Sequence, residues 1–219
     1  MKLIRTADGS ETFLNEEINE AYHSQTGAVE EAFKKYAFPC RIKELAQKGN
    51  LKILDICFGL GYNSAAALDL ALESNPSCQI EIVALEYDPE IINKIKEVQP
   101  SFRSYHLIKN LTKNKSLNFK NIKINLILGD ARETIKQLKN NYFDAVFLDP
   151  FSPKKTPEMW QLDFFKEIFR VIKANRILAT YTCARVAREN LKQAGFSYDD
   201  GPIVSRRGPG TLAWKEDFF

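Results

Sequence analysis

The chain has 219 residues, of which 44% are hydrophobic and 27% charged, and a formal net charge of +3. That length suits one substantial domain with a small appendage and excludes two large independent ones. No apolar run approaches the ~18 residues of a membrane span, and the stretch after Met1 is not apolar enough for a signal peptide, so a cytoplasmic protein is expected.

In chain order, "KLIRTADGSETFLNEE" has two extended runs around Asp8-Gly9, a hairpin signal. "GAVEEAFKKYAFPCRIKELAQKG" has helical spacing with a break near Pro39. Residues 1–50 are therefore expected to form a hairpin and helical extension packed on a domain spanning 51–219. From Leu51 onward, strand-like and helical segments alternate. "LKILDICF", "IEIVALEYD", "INLILGD", "YFDAVFLD" and "RILATYTC" read as strands, and "FSYDDGPI" with "GTLAWKE" reads as a closing pair. Between them lie the helical patterns "NSAAALDLALES", with Asn63 or Ser64 near its N-cap, "PEIINKIKEV", "ARETIKQLKN", "PEMWQLDFFKEIFRVIK" and "ARVARENLKQAG". The polar segment "KNLTKNKSLNFKN" is expected to be mobile. This alternation predicts an α/β, Rossmann-like fold with a mostly parallel seven-stranded sheet and an antiparallel edge strand.

The four cysteines form no CxxC pair, and neither they nor the two histidines have ligand spacing, so reduced thiols and no metal are expected. Charge is uneven. Ser101 to Gly129 carries Arg103, Lys109, Lys113, Lys115, Lys120 and Lys123 with no acid, and basic residues also outweigh acids after Phe151. A polyanionic partner and simple solvation of surface loops both fit this pattern.

Ligands of open parallel sheets sit at the carboxyl ends of the strands. There the sequence places Asp55, Glu86, Asp130 and Asp149, with Gly59 and Gly61 following the first strand. Glu86 is suited to accept from both hydroxyls of a ribose, and Asp130 either from an adenine amine or, as an N-cap, from the helix it precedes. Successive strand-end acids in register favour a nucleotide site over capping alone.

This order of motifs resembles class I S-adenosylmethionine-dependent methyltransferases. The resemblance implies a cofactor wall drawn from Asp55, Gly59, Gly61, Asn63, Glu86, Asp130 and Ala131, although Cys57 and Phe58 stand where smaller residues are usual. "DPF" at Asp149 resembles a shortened Asp-Pro-Pro-aromatic motif of enzymes that methylate exocyclic amines. An amine must be neutral to attack a methyl group, so Asp149 would orient it and take or relay its proton, while Phe151 packs on a flat base and Pro150 and Pro153 stiffen the loop.

"DGSETFLNEEINEAYHSQTGAVEEA", "FLDPFSPKKTPEMW" and "RRGPGTLAWKE" are similar to the methyltransferase half of the bifunctional bacterial enzyme that completes 5-methylaminomethyl-2-thiouridine at the tRNA wobble position. The resemblance implies a tRNA anticodon stem-loop as partner and a 5-aminomethyl uridine as substrate. The flavin-dependent oxidase usual in that family is expected to be absent. Carried over, Asp149 and Phe151 are catalytic, and Ser152, Pro153 and Lys154 shape the substrate pocket. Tyr22 and His23 pack over its entrance, His23 in a structural rather than a basic role. Arg206 and Arg207 either grip phosphate or form a solvated turn. Lys113, Lys115, Lys120, Lys154 and Lys155 are candidates for backbone contacts. Trp160 and Trp214 read as core residues, and nothing points to a membrane or an obligate protein partner. The rivals are a polyamine aminopropyltransferase, which needs several acids around its pocket where "DPFSPKKTPE" offers lysines, and a non-catalytic nucleic-acid-binding module.

Overall fold

The computed structural model describes residues 1–204 and 208–217. The Asp8-Gly9 turn joins β1 (Lys2–Arg5) to β2 (Glu11–Asn15), and β3 (Glu20–Ala21) completes a small antiparallel sheet. Gly9 takes φ 83°, as such a turn demands. Next come α1 (Ala28–Glu31), a π turn over Ala32–Ala37, and α2 (Ile42–Ala46) after the expected break near Pro39.

The remainder alternates as the hydrophobic pattern predicts: β4 (Asn50–Ile56), α3 (Tyr62–Ser74), β5 (Gln79–Glu86), α4 (Pro89–Lys94), then α5 (Tyr105–Lys109), α6 (Leu111–Asn114), β6 (Ser116–Phe119) and β7 (Ile122–Leu128). It continues with α7 (Ala131–Thr134), β8 (Phe143–Leu148), α8 (Leu162–Val171), β9 (Ile172–Thr180), α9 (Arg185–Gln193), β10 (Ser197–Asp200) and β11 (Thr211–Trp214). The sheet order is β10-β11-β9-β8-β4-β5-β7-β6. β9, β8, β4, β5 and β7 run parallel; β11 is antiparallel to both β9 and β10. Chain direction across the sheet reverses between β4 and β8, which puts the topological switch point beside the end of β4.

β8 is buried at every position, and the second half of β4 and of β5 likewise, which is why these strands read as near-continuous apolar runs. The structure adds an eighth strand. The polar segment expected to be mobile instead forms α6 and β6, anchored by buried Leu111 and by the buried Tyr105, Leu107 and Ile108 of α5 just before it. Two helices are shorter than their periodicity suggested, α4 and α7 each tightening into a 3-10 turn. The pattern from Pro157 is also interrupted: a 3-10 turn over Pro157–Trp160 precedes α8, and β9 starts at Ile172. No helix among the described residues is long and apolar enough to cross a membrane.

Candidate active site

The carboxyl ends of β4, β5, β7 and β8 face one cavity of about 1090 Å3, and the β1–β3 extension forms its opposite wall. On the β4 side the chain turns through Cys57, Phe58 and Gly59 into Gly61, which stands at the N-cap of α3 with φ 74°. Gly61 is required there: a Cβ would lie 2.5 Å from Phe58 Cζ and 2.7 Å from Ile108 Cγ2. Cys57 occupies the left-handed region at φ 63°, so the loop keeps a glycine-like path without glycine. Asn63 and Ser64 are not the N-cap of α3. Both turn inward to carboxylates.

Glu86 closes β5 on the cavity wall. Its carboxylate accepts from the Gly59 N–H and the Asp88 N–H, each at 2.8 Å, and burial pushes it up to about 7. Asp88 caps α4 and also accepts from the Tyr22 hydroxyl at 2.8 Å. The Tyr22 ring meets Phe151 edge-on at 5.0 Å, so this residue bridges the β5 and β8 sides of the cavity. Asp130 caps α7 and takes the Arg132 guanidinium, which holds its carboxyl below the usual range. Asp130 and Ala131 both line the cavity.

At the β8 end, Asp149 Oδ1 accepts from the Tyr36 hydroxyl at 2.5 Å and Oδ2 from Asn63 Nδ2 at 2.9 Å. The loop beyond is pinned at one carbonyl: Phe151 O accepts from Thr156 Oγ1 and from the indole of buried Trp160 at 3.0 Å. Ser152 donates from its amide and its hydroxyl to the two oxygens of Glu20 on β3, tying the extension to this loop. Glu31 lines the cavity with its side chain almost wholly buried. It accepts from the Ser24 N–H and pairs at 3.1 Å with Lys35, which is fully buried.

Of the residues expected from sequence, Tyr22, His23, Gly59, Glu86, Asp130, Ala131, Asp149 and Phe151 share this cavity. His23 is buried at the edge of the cavity. Its ring stacks on Tyr62 at 4.6 Å, its Nδ1 lies 3.0 Å from Thr12 Oγ1, and burial lowers it to about 4. Asp55, Gly61 and Asn63 stand behind the wall rather than on it. Asp55 accepts from Ser64 Oγ, its Oδ1 has no hydrogen-bond partner among the described residues, and burial pushes it up to about 8. Ser152, Pro153 and Lys154 do not line the cavity; Ser152 serves the Glu20 clasp, and Lys154 and Lys155 are exposed on the turn outside. Lys120 lies between β6 and β7, at the amino end of β7 and away from the site. Arg206 and Arg207 lie outside the described residues.

Tyr36, Glu20, Glu31 and Asp88 are site residues that sequence reasoning missed. Asp88 had a readable signal, an acid followed by Pro89 at a helix start. The other three reach the site from the N-terminal extension by tertiary contact alone. Among the described residues, ten lining positions are Asp or Glu, one is Arg and none is Lys. The lysines of "DPFSPKKTPE" therefore face away from an acidic cavity, contrary to the sequence reading.

A parallel sheet with a glycine turn after its central strand, acids closing the next strands and a cavity above the switch point defines a Rossmann-like enzyme built for a nucleoside cofactor. The family profile described as S-adenosyl-L-methionine-dependent methyltransferase matches residues 93–216. A crystal structure of MNMC2 from Aquifex aeolicus is 36% identical, with a TM-score of 0.87 over 97% of this chain and 70% of that one. An uncharacterized Methanocaldococcus jannaschii protein is 34% identical over 99% of the chain. A tRNA 5-methylaminomethyl-2-thiouridine biosynthesis bifunctional protein, MnmC, from Leptospira interrogans is 26% identical over 95%. The chain spans 60% of the archaeal relative and 34% of the bifunctional one. It belongs to the S-adenosyl-L-methionine-dependent methyltransferases, as an MnmC-like member.

The residues present fit that cofactor. Glu86 offers two buried carboxylate oxygens on the cavity wall, each already oriented by a backbone N–H and each with a second lone pair for a diol. The Gly59 backbone faces the same space without a side chain.

Proposed function

We propose that the protein methylates the exocyclic amine of a 5-aminomethyl-(2-thio)uridine at the tRNA wobble position. The observation that carries this reading is Asp149, an acid held by Tyr36 and Asn63 at the end of a cavity whose other acids suit a cationic amine. The bound cofactor supplies an electrophilic methyl group on a sulfonium. Glu86 holds its ribose, and the Gly59 turn lets it approach the sheet. Asp149 orients the amine and receives its proton at a carboxylate oxygen. Phe151, fixed through its carbonyl by Thr156 and Trp160, gives the uracil a flat apolar wall, and Tyr22 closes the space from the opposite side. The ribose-phosphate backbone stays outside and meets the exposed Lys154 and Lys155. The relatives named for tRNA modification support the tRNA as substrate.

An acid-lined cavity also suits a small diamine, so the aminopropyltransferase reading is kept as the comparison. The test measures methyl transfer from labelled S-adenosylmethionine to tRNA bearing wobble 5-aminomethyl, beside unmodified tRNA and beside putrescine with decarboxylated cofactor. Label on the aminomethyl tRNA alone is expected; product only with putrescine assigns the diamine reaction. Asp149→Ala is expected to lower transfer by roughly 10²- to 10⁴-fold while cofactor binding, measured by calorimetry, is kept. Normal methylation by that variant removes Asp149 from the reaction.

A further inference from the structure

Asp149 is served by a segment 113 residues away in the chain. Glu31 ends α1, and the π turn after it directs Lys35 and Tyr36 inward side by side, both buried. π turns recur at functional sites. Tyr36 packs edge-on against Phe147 at 5.9 Å, two residues before Asp149, so packing fixes the phenol where it meets the carboxylate.

Both described partners of Asp149 donate to it. The Asn63 amide nitrogen only donates. The Tyr36 phenol is buried beside the Asp149 and Glu31 carboxylates, which together keep its proton on oxygen. In the resting site Asp149 thus accepts at both oxygens.

We propose that Tyr36 is a positioning residue that locks Asp149 as an anion, so that the site takes up its amine substrate in the protonated, ammonium form. The inference rests on the amine-methylating reading above. A carboxylate with two fixed donors attracts a cation strongly and holds a proton weakly. Proton transfer then balances simply. The N–H bond of the ammonium breaks, its electron pair stays on nitrogen as the nucleophile, and the proton passes to an Asp149 oxygen and from there to water at the cavity mouth.

Among the described residues, Asp55 from β4 and Cys57 from the following loop face Asp149, while Glu31, paired with Lys35, and Tyr181 beyond β9 face its partner Tyr36. The carboxylates among them favour protonation of Asp149, and the Tyr36 and Asn63 donors oppose it.

The test uses cofactor-free protein carrying ¹³C-labelled aspartate carboxyls, titrated by NMR, with the Asp149 signal assigned by its loss in Asp149→Asn. In Tyr36→Phe, which keeps the ring, the Asp149 titration is expected to move up by roughly one pH unit. Binding of 5-aminomethyluridine to the same variant should lose its acid limb at a correspondingly higher pH. A second measurement needs no Tyr36 variant: the Tyr36 hydroxyl should give a slowly exchanging low-field proton resonance that disappears in Asp149→Asn. A folded Tyr36→Phe with an unmoved titration overturns the proposal, as does absence of that resonance. Neither readout depends on turnover, so a wild-type protein that fails to methylate aminomethyl tRNA would sink the reaction while leaving this result readable.

Discussion

Two residues of the same turn show how differently a left-handed backbone can be met. Cys57 at φ 63° and Gly61 at φ 74° both lie in the region where an L side chain costs about 1–2 kcal/mol. Cys57 has room for its thiol on the cavity side, so the chain tolerates the cost there. Gly61 has none, because Phe58 and Ile108 occupy the space of a Cβ. Gly61→Ala is therefore expected to destabilise the fold by about 2–5 kcal/mol, conformational strain and overpacking combined. Denaturant unfolding checks this, and a loss below about 1 kcal/mol would mean that the loop relaxes freely.

At the scale of elements, the π turn after α1 depends on one buried charge pair. Lys35 and Glu31 have side-chain exposures of 0% and 6%, so removing one partner strands the other in a medium that solvates it poorly. Lys35→Met is expected to cost about 3–5 kcal/mol, with most of it recovered in the Lys35→Met/Glu31→Gln double variant. Thermal melting of both decides the point; equal melting of single and double variants would place the loss in packing instead. The same region marks the limit of what sequence could tell. β4, β5 and β8 were legible because strands buried on both faces must be apolar, β7 because its buried and exposed positions alternate, and β9 by its apolar end; Glu86 and Asp149 were legible as acids at the carboxyl ends of such strands. Tyr36 and Glu20 were not, since their spacing reports only a helix or an edge and their partners lie 113 and 132 residues away. The positions of Asn63 and Asp55 behind the cavity wall were not legible for a related reason: inward and outward faces of a turn share one local pattern. Lys154 stands outside the cavity, since sequence proximity to Asp149 does not fix which way a turn exposes its side chains.

For the whole molecule, the buried acids set the response to pH. Asp55 and Glu86 are raised to about 8 and about 7, so between their unfolded and folded values the native state binds more protons than the unfolded one, and stability falls as pH rises. His23, lowered to about 4, acts in the opposite sense, but only below its unfolded value of about 6.5. The window from pH 6.5 to 8 therefore belongs to the carboxyls. The cofactor-free protein is expected to melt at a lower temperature at pH 8 than at pH 6.5, and Asp55→Asn should remove most of that difference. A melting temperature that climbs with pH across this window in the wild type would contradict the assignment. The sheet order has a consequence of another kind, for synthesis. β11 inserts between β9 and β10, so the outermost strand is made before the neighbour it must lie against. A growing chain thus emerges with Glu86 and Asp149 already encoded while β9 still presents an open edge and β10 has nothing to pair with. Both wait for Thr211 to Trp214, and until those residues arrive the unpaired edge of β9 is the part of the nascent protein most open to mispairing.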